Sequence, residues 1–157
     1  MFTRPLRLAA AILLGAVATL GVATAPASAA TGPCPGTLID RDVTNVAPGT
    51  PIVELRLYYD AATGKNCVRV NHLGPSWDRP AYTSAILEIC AETRPGPVCN
   101  YTKRVVDAGD DYEQYAGPVS AVGRGHCIHA YGALIWGGKT YWVNTINSTG
   151  TVASHCG

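Results

Sequence analysis

Six cysteines, Cys34, Cys67, Cys90, Cys99, Cys127 and Cys156, constrain this 157-residue chain more than any other feature, and none lies in the first 33 residues. An even cysteine count in a small exported protein predicts a disulfide framework rather than a set of free thiols. The cross-links would add to the stability of a single domain that is itself long enough to bury a sizeable core.

Export is predicted from the N-terminus. Arg4 and Arg7 precede an apolar run from about Leu8 to Val22, and Ala27-Ser28-Ala29 fits the A-x-A cleavage pattern. The run is too short and wrongly flanked for a membrane anchor. Residues 1–29 are therefore expected to be a signal peptide, with residues 30–157 forming a single secreted β-domain. No second long apolar run follows, so a soluble, extracellular protein is expected, with no membrane association after cleavage. The mature part carries ten Lys and Arg (the twelve of the whole chain less Arg4 and Arg7) against eleven Asp and Glu, a net charge of −1. Neither nucleic acid nor an anionic membrane is indicated by that balance.

Within residues 30–157, 15 Gly and 9 Pro interrupt the chain too often for long helices. The segments between them alternate with period two. In Ile52–Asp60, Val53, Leu55, Leu57 and Tyr59 fall on one face and Glu54, Arg56, Tyr58 and Asp60 on the other, the pattern of a half-buried strand. Ala61-Ala62-Thr63-Gly64 reads as the turn to a returning strand, Asn66–His72. Thr37–Val46, Ser84–Ala91, Val98–Val106, Tyr112–Val122, His126–Ile135 and Lys139–Ile146 complete about eight short strands, and Leu73–Thr83 reads as a long loop. The expected fold is all-β, a single antiparallel β-sandwich or small barrel stapled by disulfides.

Pro95-Gly96-Pro97 between Cys90 and Cys99 is a strong turn signal, and a hairpin there would bring these two cysteines together. The other four allow three pairings. In a meander the first and third strands run the same way, so Cys34 and Cys67 start at the same end of the sheet. That favours Cys34–Cys67 and leaves Cys127–Cys156. Zinc is not expected on these residues, because no C-x-x-C pair occurs and an exported chain meets an oxidising environment.

Several short segments carry a family likeness. They are Leu57-Tyr58-Tyr59, Thr63-Gly64-Lys65-Asn66-Cys67-Val68, Tyr115-Ala116-Gly117-Pro118-Val119, Gly125-His126-Cys127-Ile128 and His155-Cys156-Gly157. In their order the chain resembles the spore-associated protein A family of streptomycetes and its small secreted actinobacterial relatives. The resemblance implies an exported protein found with spores or in culture fluid, and it brings no catalytic residues or ligand set. Cys90 and Cys99 depart from the four-cysteine pattern of those relatives.

Local constellations add little chemistry. His126-Cys127-Ile128-His129 has the look of a metal motif, but positions three apart on a strand face opposite ways. Ser154 and His155 are adjacent, and adjacent side chains on an extended chain diverge, so the pair is not read as a catalytic dyad. Asp107, Asp110, Asp111 and Glu113 form an acidic cluster whose oxygens could suit calcium, although the spacing is not that of an EF-hand and a solvated turn is the preferred reading. The aromatics lead further. Trp77 and Tyr82 lie on the long loop, and Trp136 and Trp142 lie near Gly137-Gly138; these four are the candidate binding surface. Tyr141 and Trp142 fall on opposite faces of one strand, so one of them must be exposed, covered by a loop or packed in a second layer. The expected function is that of a non-enzymatic secreted protein of the spore or cell surface, whose partners are components of that surface and which needs no cofactor. The alternative is a carbohydrate- or cell-wall-binding module, with a small hydrolase or protease inhibitor behind it.

Overall fold

The computed structural model describes residues 34–157, so the signal-peptide reading lies outside the described residues. Eight strands form two antiparallel four-stranded sheets. The first sheet is ordered β1 (Thr37–Ala47), β2 (Thr50–Asp60), β3 (Lys65–His72), β6 (Tyr115–Val122). The second is ordered β5 (Tyr101–Tyr112), β4 (Ala81–Cys90), β7 (Ile128–Trp136), β8 (Lys139–Asn144). A one-turn helix, α1 (Ile146–Thr149), follows β8. The all-β expectation holds, and the arrangement is a sandwich.

Its core follows from the alternation. Leu55, Leu57, Val68 and Val70 from the first sheet meet Ala85, Leu87, Ala130 and Leu134 from the second, all fully buried. Burying a Leu or Val side chain is worth roughly 1.5–3 kcal/mol, so these positions hold the two layers together. Gly132 shows how closely the layers and strands are drawn: a Cβ there would stand 2.2 Å from the Ser84 carbonyl oxygen and 2.6 Å from Val70. The β2–β3 turn needs Gly64, which takes φ +67° while its N–H bonds the Asp60 carbonyl at 2.8 Å.

The chain crosses between the sheets after β3, β5 and β6. The segment predicted as a long loop contains a short 3-10 turn, Gly74–Ser76, and β4 begins at Ala81, before the predicted Ser84. His72 is buried at this crossing. Its Nδ1 lies 3.0 Å from the Ser76 carbonyl, which can only accept, so Nδ1 carries the proton and Nε2 accepts from the Thr83 hydroxyl at 2.5 Å. Burial pushes this imidazole below the usual histidine range.

All three predicted disulfides are present, Cys34–Cys67, Cys90–Cys99 and Cys127–Cys156. The Cys90–Cys99 connection is not a simple hairpin, however. Strand β5 starts at Tyr101 rather than Val98, and Gly96 reaches away to bridge Ala153. Cys90, Cys127 and Ala153 are buried in one cluster with Cys99 and Cys156 packed on it, so two of the cross-links share a small core of their own.

The polar face assigned to β2 needs one correction. Glu54 is 1% exposed, because Arg41 and Arg56 close over its carboxylate. The acidic cluster also differs from expectation. Asp107, Asp110 and Asp111 lie on strand β5 rather than in a loop, and only Glu113 falls in the turn to β6.

Candidate binding face and end cavity

The outer face of the second sheet is built by strict alternation. On β4, Ala85, Leu87 and Ile89 point inward, so Ser84, Ile86 and Glu88 point out. Register places Ser84 beside Ala133 and Trp142, Ile86 beside Tyr131 and Asn144, and Glu88 between Arg104 and His129. Trp142 is 58% exposed, with Ile135 and Val106 also exposed. Tyr82 precedes Thr83, which is turned inward to His72, and so belongs to this outer face. On this face Ser84, Ile86 and Ala133 are buried among their neighbours, and the exposed apolar side chains are Val106, Ile135 and Trp142.

A polar network lies on the same face. The Tyr131 hydroxyl donates to Glu88 at 3.2 Å and accepts from Arg104 at 2.9 Å. His129 Nδ1 lies 3.2 Å from the other Glu88 oxygen, and the His129 and Tyr131 rings stack at 4.7 Å. His129 Nε2 is buried without a partner among the described residues. Burial pushes the Tyr131 hydroxyl up, Glu88 adds to the rise, and Arg104 opposes it. The phenol therefore stays protonated and keeps donating to Glu88.

The four candidate aromatics do not form one patch. Tyr82 and Trp142 share the outer face. Trp136 is partly buried and packs on the core together with Tyr141. Trp77 is exposed beyond the 3-10 turn at one end of the sandwich.

The other recess lies at an end of the sandwich. A cavity of about 270 Å³ is lined by Ile39, Tyr59, Asn66, His155, Cys156 and Gly157. His155 adopts φ +48° and places Nε2 2.7 Å from Asp40 Oδ2. Asp40 also accepts from the Ser148 hydroxyl at 2.5 Å and the Arg41 N–H at 2.7 Å. Sequence reasoning missed Asp40 altogether, and a partner 115 residues away leaves no local signal. Ser154 does not face His155; its hydroxyl turns inward to the Ile128 carbonyl at 3.3 Å.

Asp107 and the Cys90–Cys99 pair are taken up by structural contacts. Asp107 accepts from the Tyr112 hydroxyl at 2.5 Å and the Gly117 N–H at 2.6 Å, fixing the crossing from β5 to β6. Burial, followed by Asp107, pushes the Tyr112 hydroxyl up to about 12. Cys90, Glu92 and Cys99 converge as metal ligands would, but both sulfurs are joined in a disulfide. Among the described residues no helix is long and apolar enough to cross a membrane. Comparison of the chain with protein-family models, with curated proteins and with solved structures finds no match.

Proposed function

We propose that this is a non-enzymatic exported protein of the spore or cell surface, which holds a wall polymer on the outer face of its second sheet. The observation that carries the reading is Trp142, 58% exposed in register with Ala133 and Ser84, on the same face as the Glu88–Tyr131–Arg104–His129 network. An indole presents a flat apolar face to a sugar ring, and hydrogen-bonding groups on the same face can meet the ring hydroxyls. The disulfides and the likeness to spore-associated proteins support a durable extracellular role over a cytoplasmic one. Retention of the mature protein on insoluble peptidoglycan, chitin and cellulose tests the reading. Binding to at least one polymer, lost on Trp142→Ala, is the expected result; no retention on any of them would count against it.

The His155–Asp40 pair beside the end cavity favours a second reading, a small hydrolase, since carboxylate-oriented histidines serve as general bases. It ranks lower because Ser148 donates to Asp40 and Ser154 to a carbonyl, which leaves no hydroxyl bonded to His155 among the described residues.

A further inference from the structure

The opposite face of the sandwich carries a different chemistry. Register places Arg41 of β1 directly beside Arg56 of β2, and Arg56 directly beside Arg69 of β3. Adjacent strands lie about 4.8 Å apart, so three guanidinium-bearing positions stand in a row roughly 10 Å long. Like charges directly opposite one another on a sheet are destabilising. Among the described residues one carboxylate, Glu54, is paired with these three cations, so two positive charges on this row are uncompensated there.

The way the arginines are held gives the row its use. Arg41 donates from Nε to Glu54 Oε1, and Arg56 donates from Nε to Glu54 Oε2 at 2.7 Å. Arg69 donates from Nε to Asn71 Oδ1 at 2.7 Å, while its guanidinium lies 4.4 Å over the Tyr115 ring. Asn71 reaches back to Glu54 at 3.4 Å, so all three are tied into one network. Each arginine is thus anchored through Nε. The terminal nitrogens of Arg41 and Arg69 find no acceptor among the described residues, and Arg56 has the Tyr58 hydroxyl beside it. A guanidinium pinned through Nε presents its remaining N–H groups as a preorganised fork for an oxyanion.

We infer that this row binds a linear phosphodiester polymer without bases, such as a polyol phosphate, with successive phosphates on Arg41, Arg56 and Arg69. The two aromatic side chains beside the row are both engaged by its arginines, Tyr115 under the Arg69 guanidinium and the Tyr58 hydroxyl against Arg56, so neither is presented as a free stacking platform for nucleic-acid bases. The network of Arg41, Glu54, Arg56, Asn71 and Arg69 offers no apolar wedge for a bilayer.

The test is titration of the mature protein with poly(glycerol phosphate) and with inorganic tripolyphosphate, at low and at near-physiological salt. A single-stranded oligonucleotide and phosphatidylglycerol vesicles are the competing probes. Binding of both phosphate probes that weakens with salt is expected. Arg41→Gln/Arg69→Gln should weaken it roughly ten-fold or more, the size of one charge-assisted hydrogen bond, and flatten the salt dependence. Trp142→Ala, on the other face, should leave it unchanged. Arg69→Lys keeps the charge and loses the fork, so it should give a smaller loss, and it decides the matter should the double variant fail to fold. Absence of binding at low salt, unchanged affinity in the arginine variants, or tighter binding of the oligonucleotide or the vesicles would overturn the inference.

Discussion

Asp40 Oδ2 lies 2.7 Å from His155 Nε2, and this contact ties the first strand to residues 150–157 at the far end of the chain. Asp40 is buried and satisfies three donors at once, Arg41 N–H, Ser148 Oγ–H and His155. Asp40→Asn should therefore cost about 1–3 kcal/mol, measured by chemical denaturation. A double-mutant cycle with His155→Gln should return a coupling of about 0.5–3 kcal/mol. Additive behaviour would mean that the pair contributes nothing of its own.

The shared cluster of Cys90, Cys99, Cys127, Cys156 and Ala153 makes two cross-links interdependent. On chain entropy alone, removing Cys90–Cys99 should cost about 2.5 kcal/mol and removing Cys127–Cys156 about 3.5 kcal/mol. Once either is replaced by an alanine pair, the packing term they share is already weakened. The combined variant should fall short of the sum by about 0.5–1 kcal/mol. Denaturation of the three variants under oxidising conditions checks this, and strict additivity would refute the shared packing.

Trp142 and Trp136 should respond oppositely to truncation. Trp142→Ala removes an exposed side chain and should leave stability within about 0.5 kcal/mol of the parent while abolishing polymer retention. Trp136→Ala opens a gap beside the core and should cost about 2–3 kcal/mol, below a full core truncation because the ring is partly exposed. The comparison needs thermal melts and one retention assay on the same samples.

His72 sets a pH dependence. Its folded-state titration is depressed by burial, so below about pH 6.5 the unfolded chain takes up a proton that the folded chain resists. Stability is fully present above the ordinary histidine range and falls as pH drops through it toward the depressed folded value. His72→Gln should lower stability at neutral pH and flatten this slope. Melting temperatures from pH 7 down to about 5 provide the check, and an unchanged slope in the variant would assign the effect to other groups.

Local features were legible in the sequence, and long-range ones were not. The alternation of Val53, Leu55 and Leu57 states its own burial, and the Pro95-Gly96-Pro97 turn states that Cys90 meets Cys99. Tyr141 and Trp142 announced that one of them would be exposed, covered by a loop or packed in a second layer, and Trp142 is exposed. Glu54 could not be read the same way. Period two puts it on the solvent face, and it is buried because Arg41 from the neighbouring strand joins Arg56 over its carboxylate. The Gly96–Ala153 bridge and the Asp40–His155 pair likewise join segments with no shared local pattern. The arginine row is invisible until register is known, since Arg41, Arg56 and Arg69 stand 13 or 15 residues apart.

Strands β1 and β8, one edge of each sheet, meet through side chains rather than through a ladder. Thr44 Oγ1 donates to the Trp142 carbonyl at 2.6 Å, and Asp42 Oδ2 accepts from the Asn144 N–H at 2.8 Å. Those are main-chain groups that an incoming strand would need. An unguarded edge invites neighbouring copies to join end to end into fibrils. On this side of the sandwich those groups are already taken, so an incoming strand would have to displace Thr44 and Asp42 before it could pair.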